Sequence, residues 1–420
     1  MSKSRQNARR FEGSLLSSPS YRIAWLSLAN PLSSLGQRWA CRLQCSSAMA
    51  RLFFFVMLLT SIVACGAISS SAQIALPKTK NADAPARLQA IAHAQVWSPV
   101  NIRSMDIRTG PQGKGAFPFQ ETVTCDYVPK QLAGGSPKFA CVAAGDELKV
   151  KFSAPTTGYI AGQSNAEVFG EVAATRLLWA LGFGSDRMYP VRVICRKCPS
   201  SLGGIAREND ERVFDPATIE RKMPGHEFEP DSSWSWTELD MVDQQQGGAP
   251  LAHRDALKLL AVFLQHTDTK PQQQRLMCLD ERVPAEGPTT VCERPFMMTS
   301  DLGLTFGKAN LMNSNGKGMN YVAWAATPVW KAGSAGCVGD LPKSFTGTLK
   351  DPVISEEGRA FLAGLLMQLS DDQIRALFEV SRVTLRLRDP AKAKSGFATV
   401  EEWTDVFKRK RAEIVDRRCA

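Results

Sequence analysis

The sequence lacks an internal repeat and any long low-complexity segment. That excludes a solenoid or repeat array and a mostly unstructured chain. Among the eight cysteines after residue 72, only Cys195 and Cys198 are closely spaced. A structural zinc site would need a second such pair, so zinc is disfavoured. No apolar run approaches the roughly 20 residues of a membrane span; the run from Leu52 to Ala64 is the nearest approach. Net positive charge is also small outside the first residues. Residues 1–51 hold eight Lys or Arg against one acid, Glu12, and so carry seven of the ten net charges. About three remain for the rest of the chain, too few to point to a nucleic-acid partner.

What is present begins with an export signal. Arg51 precedes the apolar run, and small residues follow it. That is the order of a positive region, a hydrophobic region and a cleavage zone. Residues 1–72 therefore read as a leader with a signal peptide, and Met49 is a candidate true start. Two cleavage sites compete. Ser70-Ser71-Ala72 suits ordinary signal peptidase, while Ile62-Val63-Ala64-Cys65 resembles a lipobox that would leave a lipidated Cys65. An uncleaved anchor is a third outcome. The expected location is periplasmic or extracellular, with membrane contact only through the leader or Cys65.

The cysteines agree with export. Cys125, Cys141, Cys195, Cys198, Cys278, Cys292, Cys337 and Cys419 are even in number, as expected of disulfides in an oxidising compartment. Cys125 and Cys141 flank a Gly-Gly turn between strand-like segments. Cys278 and Cys292 lie on consecutive strand-like segments. These two pairs are expected to bridge, with Cys195–Cys198 local and Cys337–Cys419 holding the carboxyl end. A redox role for Cys195 and Cys198 ranks second, and metal binding third.

With 44% hydrophobic and 22% charged residues, the chain has the composition of a globular protein. Residues 73–117 are Ala-, Pro- and Lys-rich and read as a linker. Strand patterns follow at 121–128, in KFACVAAG and in ELKVKF. Residues 165–181 alternate at helical spacing through Val168, Val172, Leu177, Leu178 and Leu181, and Gly182 is a plausible stop. MYPVRVIC and TIERKMPG add two strand-like pieces. The segment 227–236 reads as a loop in which Trp234 and Trp236 serve packing. Beyond it, HRDALKLLAVFLQH forms a helix, and RLMCL and VCERPFMMTS form a hairpin. Helices resume at 355–369, 370–383 and 399–415, the last two opened by capping boxes at Ser370/Gln373 and Thr399/Glu402.

One constellation carries chemistry. A helix delivers His266-Thr-Asp268-Thr-Lys270-Pro into a loop, a hairpin follows, and the hairpin ends at Asp301-Leu302-Gly303. Upstream stand Gly134-Gly135-Ser136, a strand ending in Lys151 and a helix carrying Glu171. This order resembles the protein-kinase-like superfamily over roughly residues 120–310. GGSPKFACVAAGDELKVKF resembles the glycine-rich segment of the HipA-like branch. The resemblance implies an α+β, two-lobed kinase-like fold. Its β-rich amino lobe, with one prominent helix, would span 118–226, and its mainly helical carboxyl lobe 227–420.

It also implies roles. Phosphoryl transfer is mostly positioning and charge neutralisation. Gly134, Gly135 and Ser136 would cradle phosphates. Lys151 would hold the α/β-phosphates of ATP or another nucleotide, oriented by Glu171. Asp268 would accept the proton of an attacking hydroxyl on a protein substrate, with Lys270 approaching the phosphoryl group. Asp301 would bind Mg²⁺ or Mn²⁺. His266 is expected to make structural hydrogen bonds. Taken singly, each residue has a plainer reading: Lys149 and Lys151 alternate, as two lysines on a solvated face would. Gln273 stands where the family has Asn, on a stem one methylene longer, so its role as a metal ligand is altered or lost. ATP is also scarce outside the cytoplasm. A pseudokinase that binds a nucleotide or a partner is therefore the second reading, nucleotidyl transfer on the same scaffold a variant of the first, and a structural envelope protein the third.

Overall fold

Alternation decides the amino-terminal half. The computed structural model describes residues 84–153, 165–200, 202, 204–229, 231–280, 292–308 and 318–419. The leader, Met49, Cys65 and both cleavage sites lie outside them. In β1 (Thr122–Val128), β2 (Lys138–Ala143) and β3 (Asp146–Phe152), every second side chain is apolar and buried. β4 (Arg187–Arg196) and β5 (Glu211–Arg221) alternate only in part, since residues 188–191 and 216–220 are buried without a break. The five strands close into a barrel in the order β1-β2-β3-β5-β4, with β1 parallel to β4 and the other pairs antiparallel. Val123, Phe139, Leu148, Val150, Val193 and Ile219 are among the side chains that fill it. β5 starts seven residues before the stretch read as a strand from sequence. The signal was masked by Pro216, which a central strand rarely accepts. It sits where the β4–β5 register shifts.

α2 (Glu167–Leu181) follows the third strand, as the sequence suggested, and stops at Gly182 with φ +87°. The stretch read as a linker is not structureless. It contains α1 (Ala84–His93), and Ile91, Val96 and Ile102 of this region are fully buried in the main core. Its Pro and Lys content hid that apolar spacing.

The carboxyl-terminal half is helical around a small sheet. β6 (His226–Glu227), β7 (Gln274–Cys278) and β8 (Pro295–Thr299) form that sheet in chain order; β6 had no sequence signal. α3 (Leu251–Leu264), α4 (Tyr321–Ala326), α5 (Glu356–Leu366), α6 (Asp371–Val380) and α7 (Val400–Asp416) supply the rest. α5 packs on α3 and α7, and α6 on α7 and α2. The capping boxes at Ser370/Gln373 and Thr399/Glu402 are both formed. Trp234 and Trp236 are buried, with ring centres 5.4 Å apart. Residues Pro77–Ala420 form one compact unit of mixed strands and helices.

The cysteines join as Cys125–Cys141, Cys195–Cys198, Cys278–Cys292 and Cys337–Cys419, with Cα separations of 5.7, 5.6, 5.7 and 5.2 Å. These are the four pairs expected from the sequence, the first and third of them from strand-like segments. They fit an oxidising environment. Among the described residues, no helix is long and apolar enough to cross a membrane.

Candidate functional site

The barrel's outer face builds the first wall of the site. Because Leu148 and Val150 point inward, Lys149 and Lys151 point out. Lys138 on β2 and Thr218 on β5 are the register partners of Lys151, and Glu220 is that of Lys149. This face is not solvated: Lys151 is only 1% exposed. Its Nζ lies 2.6 Å from Glu171 Oε2, 3.0 Å from Glu167 Oε2 and 3.8 Å from Glu220 Oε2. The ion pairs continue along the wall. Glu220 meets Lys149 at 2.6 Å and Lys222 at 3.0 Å, and Lys222 meets the buried Asp186 at 2.9 Å.

Glu167 and Glu171 stand one turn apart on α2, and two glycines bring them to Asp301. A Cβ on Gly170 would fall 2.8 Å from the carbonyl oxygen of Gly303, and one on Gly303 would fall 2.3 Å from Glu167 Cγ. With no Cβ at either position, α2 packs directly on the Asp301-Leu302-Gly303 backbone. Oxygens of Glu167, Glu171 and Asp301 consequently lie within 4.8 Å of one another.

The electrostatics follow from this crowding. Burial works against a charged Lys151, but Glu171, Asp301, Glu167 and Glu220 outweigh it and hold its pKa well above the ordinary lysine value. Burial, with the other carboxylates, pushes Glu171 well up. Asp301 goes the other way: despite burial, Lys151, the Gly303 N–H, Lys149 and His266 hold it at about 2. The Gly303 N–H donates to Asp301 Oδ1 at 3.1 Å.

The second wall comes from the loop after α3. Gln265, left-handed at φ +52°, ends the helix and donates its side-chain amide to the Asp340 carbonyl at 2.7 Å. Asp268 Oδ2 then accepts hydrogen bonds from Lys270 Nζ at 2.9 Å and Gln273 Nε2 at 2.8 Å. The Gln273 carbonyl accepts from the Ser300 N–H at 2.9 Å and the Asp301 N–H at 3.4 Å. One turn thus ties the Asp268 loop to Asp301. His266, within electrostatic reach of both aspartates, is buried with its ring centre 6.2 Å from that of Trp236. The expected structural hydrogen bonds are absent: neither ring nitrogen has a partner among the described residues. Burial holds its pKa at about 4, against the pull of Asp268 and Asp301, so the ring is neutral.

Lys151, Glu171 and Asp301 thus form one cluster and Asp268, Lys270 and Gln273 another, joined by the Gln273 carbonyl and the Asp301 N–H. The glycine turn joins them less directly. Gly134 and Gly135 are exposed in the β1–β2 connection. Lys138 links them inward: its Nζ donates to Ser136 Oγ at 3.2 Å, and it senses the charges of Glu167, Lys151, Lys149 and Asp301. Glu167, Lys138 and Glu220 were not singled out from the sequence. Two of them had a signal available: Glu167 lies four residues before Glu171, on the same helical face, and Lys138 lies across the hairpin from Lys151.

The three carboxylates suit a hard divalent cation. Glu171 Oε1, fully buried, has no hydrogen-bond donor among the described residues. Gln273 donates its amide nitrogen to Asp268, which leaves its side-chain carbonyl oxygen, the atom a hard cation would take, uncommitted by that contact. A cavity of about 370 Å³ lies at the far end of the ion-pair chain, lined by Asp186, Lys222, Met223, Met277 and Met298 among others.

No protein-family model and no curated protein matches this chain. Among solved structures, a proinflammatory kinase of Helicobacter pylori, CtkA, is similar over 71% of this chain and 96% of its own, at 11% identity and a TM-score of 0.36. A likeness this slight assigns neither fold nor chemistry.

Proposed function

We propose that the cleft is a metal-dependent phosphoryl-transfer site of a two-lobed, kinase-like protein with a HipA-like amino lobe, exported to the periplasm or beyond. The observation that supports this most is the joining, through the Gln273 carbonyl, of a buried Lys151–Glu171 pair and an ionised Asp301 to an Asp268 poised by Lys270 and Gln273. Catalysis of this type asks a protein for positioned charge more than for covalent chemistry.

In this reading Lys151 and Lys138 bind the phosphates of ATP or another nucleotide at the barrel edge, beside Gly134, Gly135 and Ser136. The base occupies the methionine-lined cavity. Glu167, Glu171 and Asp301 would hold Mg²⁺ or Mn²⁺, which supplies neutralising charge to the phosphates. Asp268 takes the proton of an acceptor hydroxyl, on a protein, and Lys270 faces the transferring group. The test is transfer of label from γ-labelled ATP to a protein acceptor. Asp268→Ala should spare nucleotide binding but lower transfer about 10²–10⁴-fold, the usual cost of a lost general base.

A pseudokinase is the second reading, and one contact favours it. Gln273 stands on a stem one methylene longer than the family's Asn while its amide nitrogen is fixed on Asp268, which displaces its carbonyl oxygen from the place an Asn would put it. Nucleotide binding without transfer to any hydroxyl would select it.

A further inference from the structure

The loop that follows α4 leans on the candidate catalytic loop at the residue next to Asp268. Thr348 donates its backbone N–H to the Thr269 carbonyl at 3.1 Å and to Thr269 Oγ1 at 3.2 Å. Its hydroxyl donates to the same carbonyl at 2.8 Å and accepts from the Trp236 N–H at 3.1 Å. A Cβ on Gly347 would fall 2.6 Å from Thr269 Oγ1, so the close approach requires glycine. Ser344, Gly347 and Leu349 are buried in this contact.

The outward side of the same loop is unlike ordinary surface. Phe345 is 79% exposed, and Lys343, Thr346 and Lys350 stand out beside it. Neither lysine has a carboxylate partner among the described residues. The neighbouring acids are engaged elsewhere: Asp351 pairs with Lys331, and Asp340 acts on the buried Lys410. A single exposed apolar side chain is common. Here, however, it lies in sequence between two exposed lysines without a carboxylate partner, on a loop fastened to Thr269, the residue next to Asp268.

We infer that residues 343–350 form the acceptor-docking edge of the site and take an acidic polypeptide segment with an apolar side chain near its hydroxyl. Phe345 gives the apolar contact, and Lys343 and Lys350 select the acidic flanks. The inference rests on the phosphoryl-transfer reading for the word acceptor, but the binding it asserts is measurable without transfer.

Fluorescence anisotropy on the full oxidised protein, without nucleotide, tests it. The probes are a labelled peptide with a central serine, flanking glutamates and one leucine, and its counterpart with lysines in place of the glutamates. The wild type should bind the acidic peptide at least about tenfold more tightly. Phe345→Ser should weaken that binding about tenfold, as burial of most of a Phe side chain implies. Lys343→Glu with Lys350→Glu should remove the preference for acid. The side chains are exposed, so melting temperatures should stay unchanged. Equal binding of both peptides by the wild type, variants that keep the preference, or capture by phosphatidylglycerol vesicles instead of the peptide would each overturn the inference. Acidic-peptide binding without phosphoryl transfer would instead overturn the proposed function and leave the docking edge standing.

Discussion

Replacing His266 by Phe should change how stability depends on pH. The ring is 1% exposed and, among the described residues, without a hydrogen bond. Burial holds its pKa at about 4, against about 6.5 in an unfolded chain. As pH falls, the unfolded chain takes up the proton near 6.5 and the folded chain only near 4. The unfolded state therefore binds more protons across that window, and stability falls with pH. The contribution is fully present above about 6.5 and is lost progressively towards 4. The full contribution, from an unfolded value of about 6.5 and a folded value of about 4, is about 3.4 kcal/mol at 1.36 kcal/mol per tenfold change in proton affinity, and about 2.5 kcal/mol of it should be lost by about pH 4.5. Asp301, held at about 2, is lowered as well and also loses stability on acidification, but its contribution fades only below about pH 4, outside the assayed range. The assay is urea unfolding of the oxidised protein between about pH 7 and 4.5. Phe brings no titrating group to the same pocket. The stability of His266→Phe relative to wild type should thus rise by about 2.5 kcal/mol over that range, whatever its offset at neutral pH. Parallel profiles would refute the reasoning and place the folded ring in a solvated or hydrogen-bonded setting.

Three further outcomes are expected. Isothermal titration with Mn²⁺ should show affinity falling roughly tenfold or more in Glu167→Gln, while Gln273→Asn stays within about threefold; the reverse order would return the ligand role to Gln273. Gly170→Ala should destabilise by about 1–3 kcal/mol, because its methyl group meets the Gly303 carbonyl, a backbone atom; an unchanged melting temperature would mean that α2 can move off Asp301. Alkylation mass spectrometry of protein from cells should find Cys125, Cys141, Cys195, Cys198, Cys278, Cys292, Cys337 and Cys419 blocked. Eight free thiols would contradict the oxidised, exported state.

Local signals were readable wherever period and caps agree. The α6 and α7 starts followed from Ser370/Gln373 and Thr399/Glu402, and the Cys125–Cys141 disulfide from cysteines on adjacent strands; Cys278–Cys292 also formed, although Cys292 lies just before β8 rather than on it. Closure of the barrel was not readable, because the parallel β1–β4 pairing joins segments far apart in sequence and leaves no local mark. β5 was half-hidden by Pro216, α1 by the composition around it. At the site, Lys151 meets Glu171 and Asp268 meets Lys270 and Gln273, whereas Glu167 and Lys138 emerged only from packing. Glu167 acquires its place from two missing Cβ atoms at Gly170 and Gly303. Lys138 acquires its place from the register that sets it opposite Lys151. Neither cause is local to the residue it positions.

A thermal-shift measurement of the mature oxidised protein with ATP, in the presence and absence of Mn²⁺, tests the metal–nucleotide cleft most directly. At a ligand concentration about 100 times the dissociation constant, binding stabilises the folded state by about 2.7 kcal/mol, a shift of several degrees. The expected result is a rise that requires nucleotide and metal together, is lost in Asp301→Ala and is kept in Asp268→Ala. No rise with ATP or any other nucleotide, with or without metal, would contradict it and strip Lys151 and Asp301 of the roles proposed for them.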